Sequence, residues 1–214
     1  MWVLGMVMYW SIYAIICVGH LGICFKEKEL LRKISKVFII PMLMLSLLLT
    51  KTFNLLLFVG LFLGWIGDIL LVFTGRKKVF IVGAISFLLG HLSYIIASLA
   101  LFLEKYNNIP IWIFILLTVV AIAFFLLTKF KIRKHFGVAS YFGAFYFYIL
   151  LIALLTSFLT KAYVLTFGFA LFVISDTILS IARFARPIKK QHFYIMTTYI
   201  LAQTLICLSF IYGV

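Results

Sequence analysis

Two carboxylates stand in stretches of the chain where only apolar side chains are expected. Asp68 follows Gly60 and Gly64 at intervals of four residues, so the three lie on one face of a predicted helix. Asp176 lies in a second apolar run 108 positions later, and the chain has only five acidic residues in all. Ionisable groups inside a bilayer usually mark a reaction site or an ion path. Asp68 and Asp176 are therefore the candidate catalytic pair.

Two neighbouring carboxyl groups suit general acid–base chemistry, because a site of low dielectric allows one to stay protonated while the other is ionised. Polar residues at compatible depth are expected to support the pair, although a single Tyr or Ser at such a position is more often a packing residue. His91 has the stronger claim, because an imidazole in hydrocarbon needs a partner and an acid is the natural one. The supporting candidates are His91, Tyr94, Tyr148, Ser175, Tyr199 and Gln203.

The composition indicates what kind of protein positions these residues. Of the 214 residues, 66% are hydrophobic and 11% are charged, which is too apolar for the surface of a soluble domain. The sequence predicts an all-α polytopic membrane protein with a single transmembrane domain over 1–214. Cys17, Cys24 and Cys207 have no pairing or metal-ligand spacing, and neither a metal nor another cofactor is expected. Met1-Trp2 lacks a basic signal-peptide start, so we expect the first helix to be retained.

The apolar runs predict eight transmembrane helices, each near the roughly 20 residues that cross a bilayer. They also allow two parallel four-helix repeats, since Gly60, Asp68 and Leu71 match Gly168, Asp176 and Leu179. The predicted helices are 2–25, 37–51, 53–74, 79–103, 110–128, 135–160, 162–184 and 192–213.

The basic residues alternate between the predicted loops and so indicate an orientation. Sixteen of the nineteen Lys and Arg residues fall in the odd-numbered connections, and the even ones hold only Lys51, Lys105 and Lys161. Positive charge marks the cytoplasmic side, which places both termini on the non-cytoplasmic side. The net charge of +14 is then a topology signal and an attraction to anionic lipid rather than a nucleic-acid surface. We expect an integral protein of a bacterial cytoplasmic membrane.

The assignment of the loops to the two sides of the membrane also predicts how deep the two acids lie. Asp68 lies eight residues before Arg76, and Asp176 lies seven before Arg183, so both are expected ~10–12 Å inside the cytoplasmic boundary. We expect them to face one cavity between their two helices. Asp176, with Ser175 and Thr177 beside it, is expected to be the better placed to stay ionised, which favours Asp68 as the proton donor.

Four short motifs follow one another along the chain: Gly67-Asp68 with Leu70-Leu71, Gly90-His91 with Tyr94, Ser175-Asp176 with Ile178-Leu179, and Tyr199 with Ala202-Gln203. Taken together in order and spacing, they resemble the motifs of the YhhN-like lysoplasmalogenase family over most of the chain. The resemblance implies eight helices and hydrolysis of the vinyl-ether bond of lysoplasmalogens to a fatty aldehyde and a glycerophospho-ethanolamine or -choline. Thr177 and Ser180 make the second acid's surroundings more polar than the family pattern.

Two carboxyls suit that reaction, since protonation of the vinyl-ether β-carbon leaves an oxocarbenium ion that water captures. The expected partner is a lysophospholipid within the membrane, and Arg183 is the candidate for its phosphate. Three alternatives stay open. The same two acids could serve an intramembrane aspartyl protease or a proton-coupled transporter, and together with His91 they could ligate the metal of a lipid hydrolase.

Overall fold

The computed structural model describes residues 2–50, 52–72, 77–106, 111–127 and 139–213. Within these ranges the chain forms eight α-helices and no strand, so the predicted all-helical class is confirmed. A π-helical turn, Ile181–Ala185, continues the seventh helix. The helices are α1 Trp2–Phe25, α2 Glu29–Leu49, α3 Leu55–Val72, α4 Lys77–Tyr106, α5 Ile111–Leu127, α6 Ala139–Leu159, α7 Tyr163–Ser180 and α8 Gln191–Tyr212.

Helix α2 differs most from its predicted extent. It begins at Glu29, eight residues before the predicted start at 37, because the prediction followed only the apolar run. The added turns are rich in helix-forming residues, and Glu29 pairs with Lys33 one turn later. Lys36 consequently lies on a helix rather than in a loop. The predicted start of the sixth helix at 135 lies outside the described residues, as does the basic cluster at 129–134.

Among the described residues, six helices are long and apolar enough to cross a membrane, and many of their large apolar side chains point outward. Helix α2 is not among these six, because its first turns carry charged residues. Helix α5 is not among them either, because its described part has only 17 residues. An integral membrane protein is therefore supported, while eight crossings remain a prediction. The six spans are Leu4–Phe25, Leu55–Val72, Val79–Tyr106, Tyr141–Leu159, Tyr163–Arg183 and Gln191–Tyr212.

Glycines bring α3 and α4 into close contact. A Cβ atom added at Gly90 would lie 3.0 Å from the carbonyl oxygen of Gly60, and one at Gly83 would lie 3.4 Å from that of Gly67. The two backbones therefore touch along this seam, as small residues permit in membrane helices. The seam places one face of α3 directly against the face of α4 that carries Phe87 and Tyr94.

A similar contact joins α7 to α8. A Cβ atom added at Gly168 would lie 3.2 Å from the carbonyl oxygen of Ala202 and from the backbone nitrogen of Ile206. Helix α6 packs against α4 and α7, while α2 packs against α1, α3 and α8. The two acid-bearing helices, α3 and α7, thus make their main contacts with other helices, and a direct α3–α7 interface is not prominent. The internal repeat remains a prediction.

Candidate active site

Asp68 is held by one ion pair and one hydrogen bond in the interior of the bundle. Its side chain is 1% exposed. Oδ1 pairs with the ammonium Nζ of Lys36 at 2.8 Å, and Oδ2 accepts a hydrogen bond from the phenol of Tyr199 at 2.7 Å. Such charge-assisted contacts are the strong ones in a site of low dielectric. Each oxygen of the Asp68 carboxylate therefore has one polar partner.

Lys36 is a member of this site that was not predicted from the sequence, in which it counts as a loop charge. The side chain is 14% exposed, and its ammonium lies 5.8 Å from the centre of the Tyr199 ring. A signal was present in the sequence. A buried acid requires a cation or strong donors, and Lys36 is the last basic residue before the apolar part of α2.

Asp176 has a different environment. It is 7% exposed and accepts a hydrogen bond from the phenol of Tyr146 at 2.5 Å. The same phenol oxygen lies 3.4 Å from Nε2 of His91. In the part of the chain that the structure describes, no Lys or Arg side chain forms an ion pair with Asp176.

Tyr146 was not predicted from the sequence either, and the candidate on the same helix was Tyr148. Two residues correspond to about 200° around a helix, so the two phenols point to nearly opposite faces. Tyr148 is a half-buried ring packed against the hydrophobic core, whereas Tyr146 reaches Asp176. Apolar residues surround both on α6, and the helical periodicity of the sequence does not distinguish their faces.

Aromatic rings connect the two acids. The ring of Phe172 meets the imidazole of His91 edge-on at 4.5 Å and the ring of Tyr199 at 5.5 Å. Asp68 is thus linked through Tyr199, Phe172, His91 and Tyr146 to Asp176, and the two carboxylates interact electrostatically. The sequence placed this pair between its own two helices. Instead, side chains of α4, α6 and α8 complete the cluster.

Tyr94 and Gln203 adjoin the Asp68 side of the cluster. The phenol of Tyr94 donates to Oε1 of Gln203 at 2.9 Å, and both side chains are 1% exposed. A Cβ atom added at Gly64 would lie 3.6 Å from Nε2 of Gln203 and 4.0 Å from the Tyr199 oxygen. Gly64 therefore borders the acid-bearing cluster, with room for a methyl group.

Two further predicted site residues, Ser175 and Arg183, make their contacts away from the acids. Ser175 donates to the backbone carbonyl of Ile195 at 3.2 Å and so ties α7 to α8. Arg183 is exposed in the π-helical turn, and its guanidinium lies 5.1 Å from the centre of the Phe80 ring. The structure thus brings together Asp68, Asp176, His91, Tyr94, Tyr199 and Gln203, and adds Lys36 and Tyr146.

The donor set does not favour a metal centre within the described residues. No three His, Cys, Asp or Glu side chains there are close enough together to hold a metal ion. His91 is directed toward Tyr146 and Phe172, and Asp68 is occupied by Lys36.

Comparison with known proteins supplies one family. The model of the YhhN family matches residues 31–210, which is most of the chain and includes every residue of the site. No curated protein and no solved structure matches the sequence. The extent of the family match is decisive, and the chain belongs to the YhhN family.

Proposed function

We propose that this protein is a lysoplasmalogenase-type hydrolase that cleaves the vinyl-ether bond of a lysophospholipid within the membrane. The products would be a fatty aldehyde and a glycerophospho-ethanolamine or -choline. Family membership supports this type of role. The single observation that carries the proposal is the pair of buried carboxylates, Asp68 and Asp176, held in one polar and aromatic cluster.

The proposed chemistry needs one neutral and one ionised carboxyl group. The neutral acid gives its proton to the β-carbon of the vinyl ether, and the double-bond electrons form the new C–H bond. The resulting oxocarbenium ion is stabilised by the carboxylate, which then takes a proton from the attacking water. When the hemiacetal collapses, its hydroxyl proton returns to the first acid, and the second acid protonates the departing glycerol oxygen. Both groups end in their starting states.

The surroundings of the two acids suit such an intermediate. The cluster is lined by aromatic rings and buried in the bundle, so stray water is limited and electrostatic stabilisation is strong. Each acid is oriented by a tyrosine phenol, Tyr199 for Asp68 and Tyr146 for Asp176. We expect the carboxyl groups to lie about 5–9.5 Å apart, the range in which two carboxyls act on one substrate with or without an intervening water.

The test is aldehyde release by the purified protein in detergent. The substrate is a 1-alkenyl lysophospholipid, and the matched control is the 1-alkyl lysolipid of the same chain length and headgroup. A saturated ether has no carbon–carbon double bond to accept a proton, so only the alkenyl lipid should yield aldehyde. Equal cleavage of both lipids, or peptide-bond cleavage without aldehyde, would contradict the proposal. Lysolipid uptake into vesicles without any product would instead indicate a transporter, and loss of activity with chelators a metal-dependent hydrolase.

A further inference from the structure

The only ion pair with a buried partner among the described residues is the one between Lys36 and Asp68. Lys36 reaches Asp68 from α2, a helix that carries neither acid, and its ammonium stands 2.8 Å from Oδ1. Removing such a charge from water is costly and is tolerated only when the partner and its hydrogen bonds compensate. Tyr199 donates a hydrogen bond to the other oxygen of the same carboxylate.

We propose that Lys36 is a positioning residue that keeps Asp68 ionised and thereby assigns the two acids their roles. The assignment of roles rests on the proposed function. Asp68 is then the carboxylate that stabilises the oxocarbenium ion and accepts the proton of water. Asp176, which has a phenol and no described cation as its immediate partner, is the acid that protonates the β-carbon. This reverses the expectation drawn from Ser175 and Thr177, because Ser175 bonds to Ile195 and the Thr177 hydroxyl donates to the Val173 carbonyl.

Other charged and titratable groups near Lys36 do not compete for Asp68. Arg32 and Lys36 both lie near His20 and His192, so this end of α2 is cationic. His20 is occupied by Ser35 and Cys24. The charged and titratable groups near the ion pair are Arg32 on α2 itself, His20 of α1, Tyr94 of α4, Tyr146 of α6, Asp176 of α7, and His192 and Tyr199 of α8.

Infrared spectroscopy of the purified protein tests the charge states without any substrate. The carboxyl stretch of a protonated acid is separate from the carboxylate bands, and an ester-free detergent leaves that region clear. The other three acids, Glu27, Glu29 and Glu104, are exposed, and the carboxyl group of a solvated side chain absorbs as a carboxylate at neutral pH. We expect one protonated-acid band in the wild type, lost in Asp176→Asn and retained in Asp68→Asn.

Substitution of Lys36 then tests its role directly. Lys36→Met should add a second protonated-acid band, because Asp68 loses its cation, and the Lys36→Met/Asp68→Asn double variant should lack that band. Lys36→Arg should keep the wild-type spectrum. A wild-type band that belongs to Asp68, no wild-type band at all, or an unchanged spectrum in folded Lys36→Met would overturn the proposal. The wild-type and Asp→Asn spectra decide the charge states even if Lys36→Met does not fold.

Aldehyde release links the charge state to the reaction. Lys36→Met should lower kcat about 10²-fold, the scale of losing one acid–base group, while Lys36→Arg should keep most of the activity. Lys33→Met is the matched control, since Lys33 lies three residues earlier on α2 and pairs with exposed Glu29. It should leave kcat unchanged. Predicted spectra without aldehyde in the wild type would refute the proposed function alone, and full activity in Lys36→Met would refute the role of Lys36.

Discussion

At the scale of single residues, Asp68 and Asp176 are chemically identical side chains that have different partners. Asp68 meets a lysine ammonium and a phenol, whereas Asp176 meets a phenol next to an imidazole. The acids themselves could be identified from the sequence, because a carboxylate in an apolar helix is conspicuous. Their partners Lys36 and Tyr146 could not, because each is an ordinary residue whose importance depends on the neighbour that its helix faces.

Tyr146→Phe should lower kcat about 10–10²-fold, because it removes the hydroxyl that donates to Asp176 and lies beside His91. The ring remains, so folding should be preserved. Tyr148→Phe is the matched control, because its ring faces away from Tyr146 on α6, and its effect on kcat should be much smaller. Aldehyde-release kinetics on the two variants measure the difference. Equal losses would contradict the assigned position of Tyr146.

His91→Ala should also reduce turnover, on the order of 10²-fold, if the imidazole orients Tyr146 and its acid. The imidazole is 1% exposed, so Ala also removes packing against Phe172. His91→Gln keeps polar contact with Tyr146 and should recover part of kcat. Full activity in folded His91→Ala would show that the imidazole has no part in the reaction.

At the scale of elements, the glycines of α3 contact different neighbouring helices. The Gly60, Gly64 and Asp68 stripe could be predicted to face a neighbouring helix, and the structure identifies α4 as that neighbour at Gly60. The partner of Gly64 was not predictable, because Gln203 and Tyr199 come from α8 at the far end of the sequence. The start of α2 was missed for a different reason, since its first turns are charged and helical at once.

Gly64→Ala and Gly60→Ala should therefore have different effects. A methyl at Gly64 has ordinary contacts, so stability should be unchanged or slightly higher, while the KM for the lysolipid should rise as the methyl narrows the site. A methyl at Gly60 would collide with the Tyr94 ring and should cost about 1–3 kcal/mol. Thermal unfolding in detergent and lysolipid kinetics check both. A Gly64→Ala variant with unchanged KM would mean that Gly64 lies away from the substrate.

The π-helical turn after α7 carries Arg183, which remains our candidate for the substrate phosphate. Arg183→Gln should raise KM about tenfold with little change in kcat, as for loss of one contact to a charged group. Arg186→Gln, an exposed arginine three residues later, is the matched control and should leave KM unchanged. A lowered kcat with unchanged KM in Arg183→Gln would exclude a simple role in binding phosphate.

At the scale of the whole molecule, composition predicted the helical membrane class, and most helices were predicted to within a few residues.

The predicted orientation depends on the distribution of basic residues, and part of that charge lies at 129–134, outside the described residues. Single-cysteine labelling tests it. The native Cys17, Cys24 and Cys207 are buried, so background labelling should be low. We expect Lys77→Cys to react from the cytoplasm and Lys161→Cys from the other side; the reverse pattern would invert the topology.

The measurement that tests the central claim most directly is aldehyde release from a 1-alkenyl lysophospholipid by Asp68→Asn, Asp176→Asn and the double variant. Asn keeps the shape of the side chain but can neither supply the proton nor carry the charge. We predict that each single variant loses turnover while still folding and inserting. The double variant should be scarcely worse than either single variant, because the two acids act as a unit. Near-normal aldehyde release by either folded single variant would contradict the two-carboxylate site.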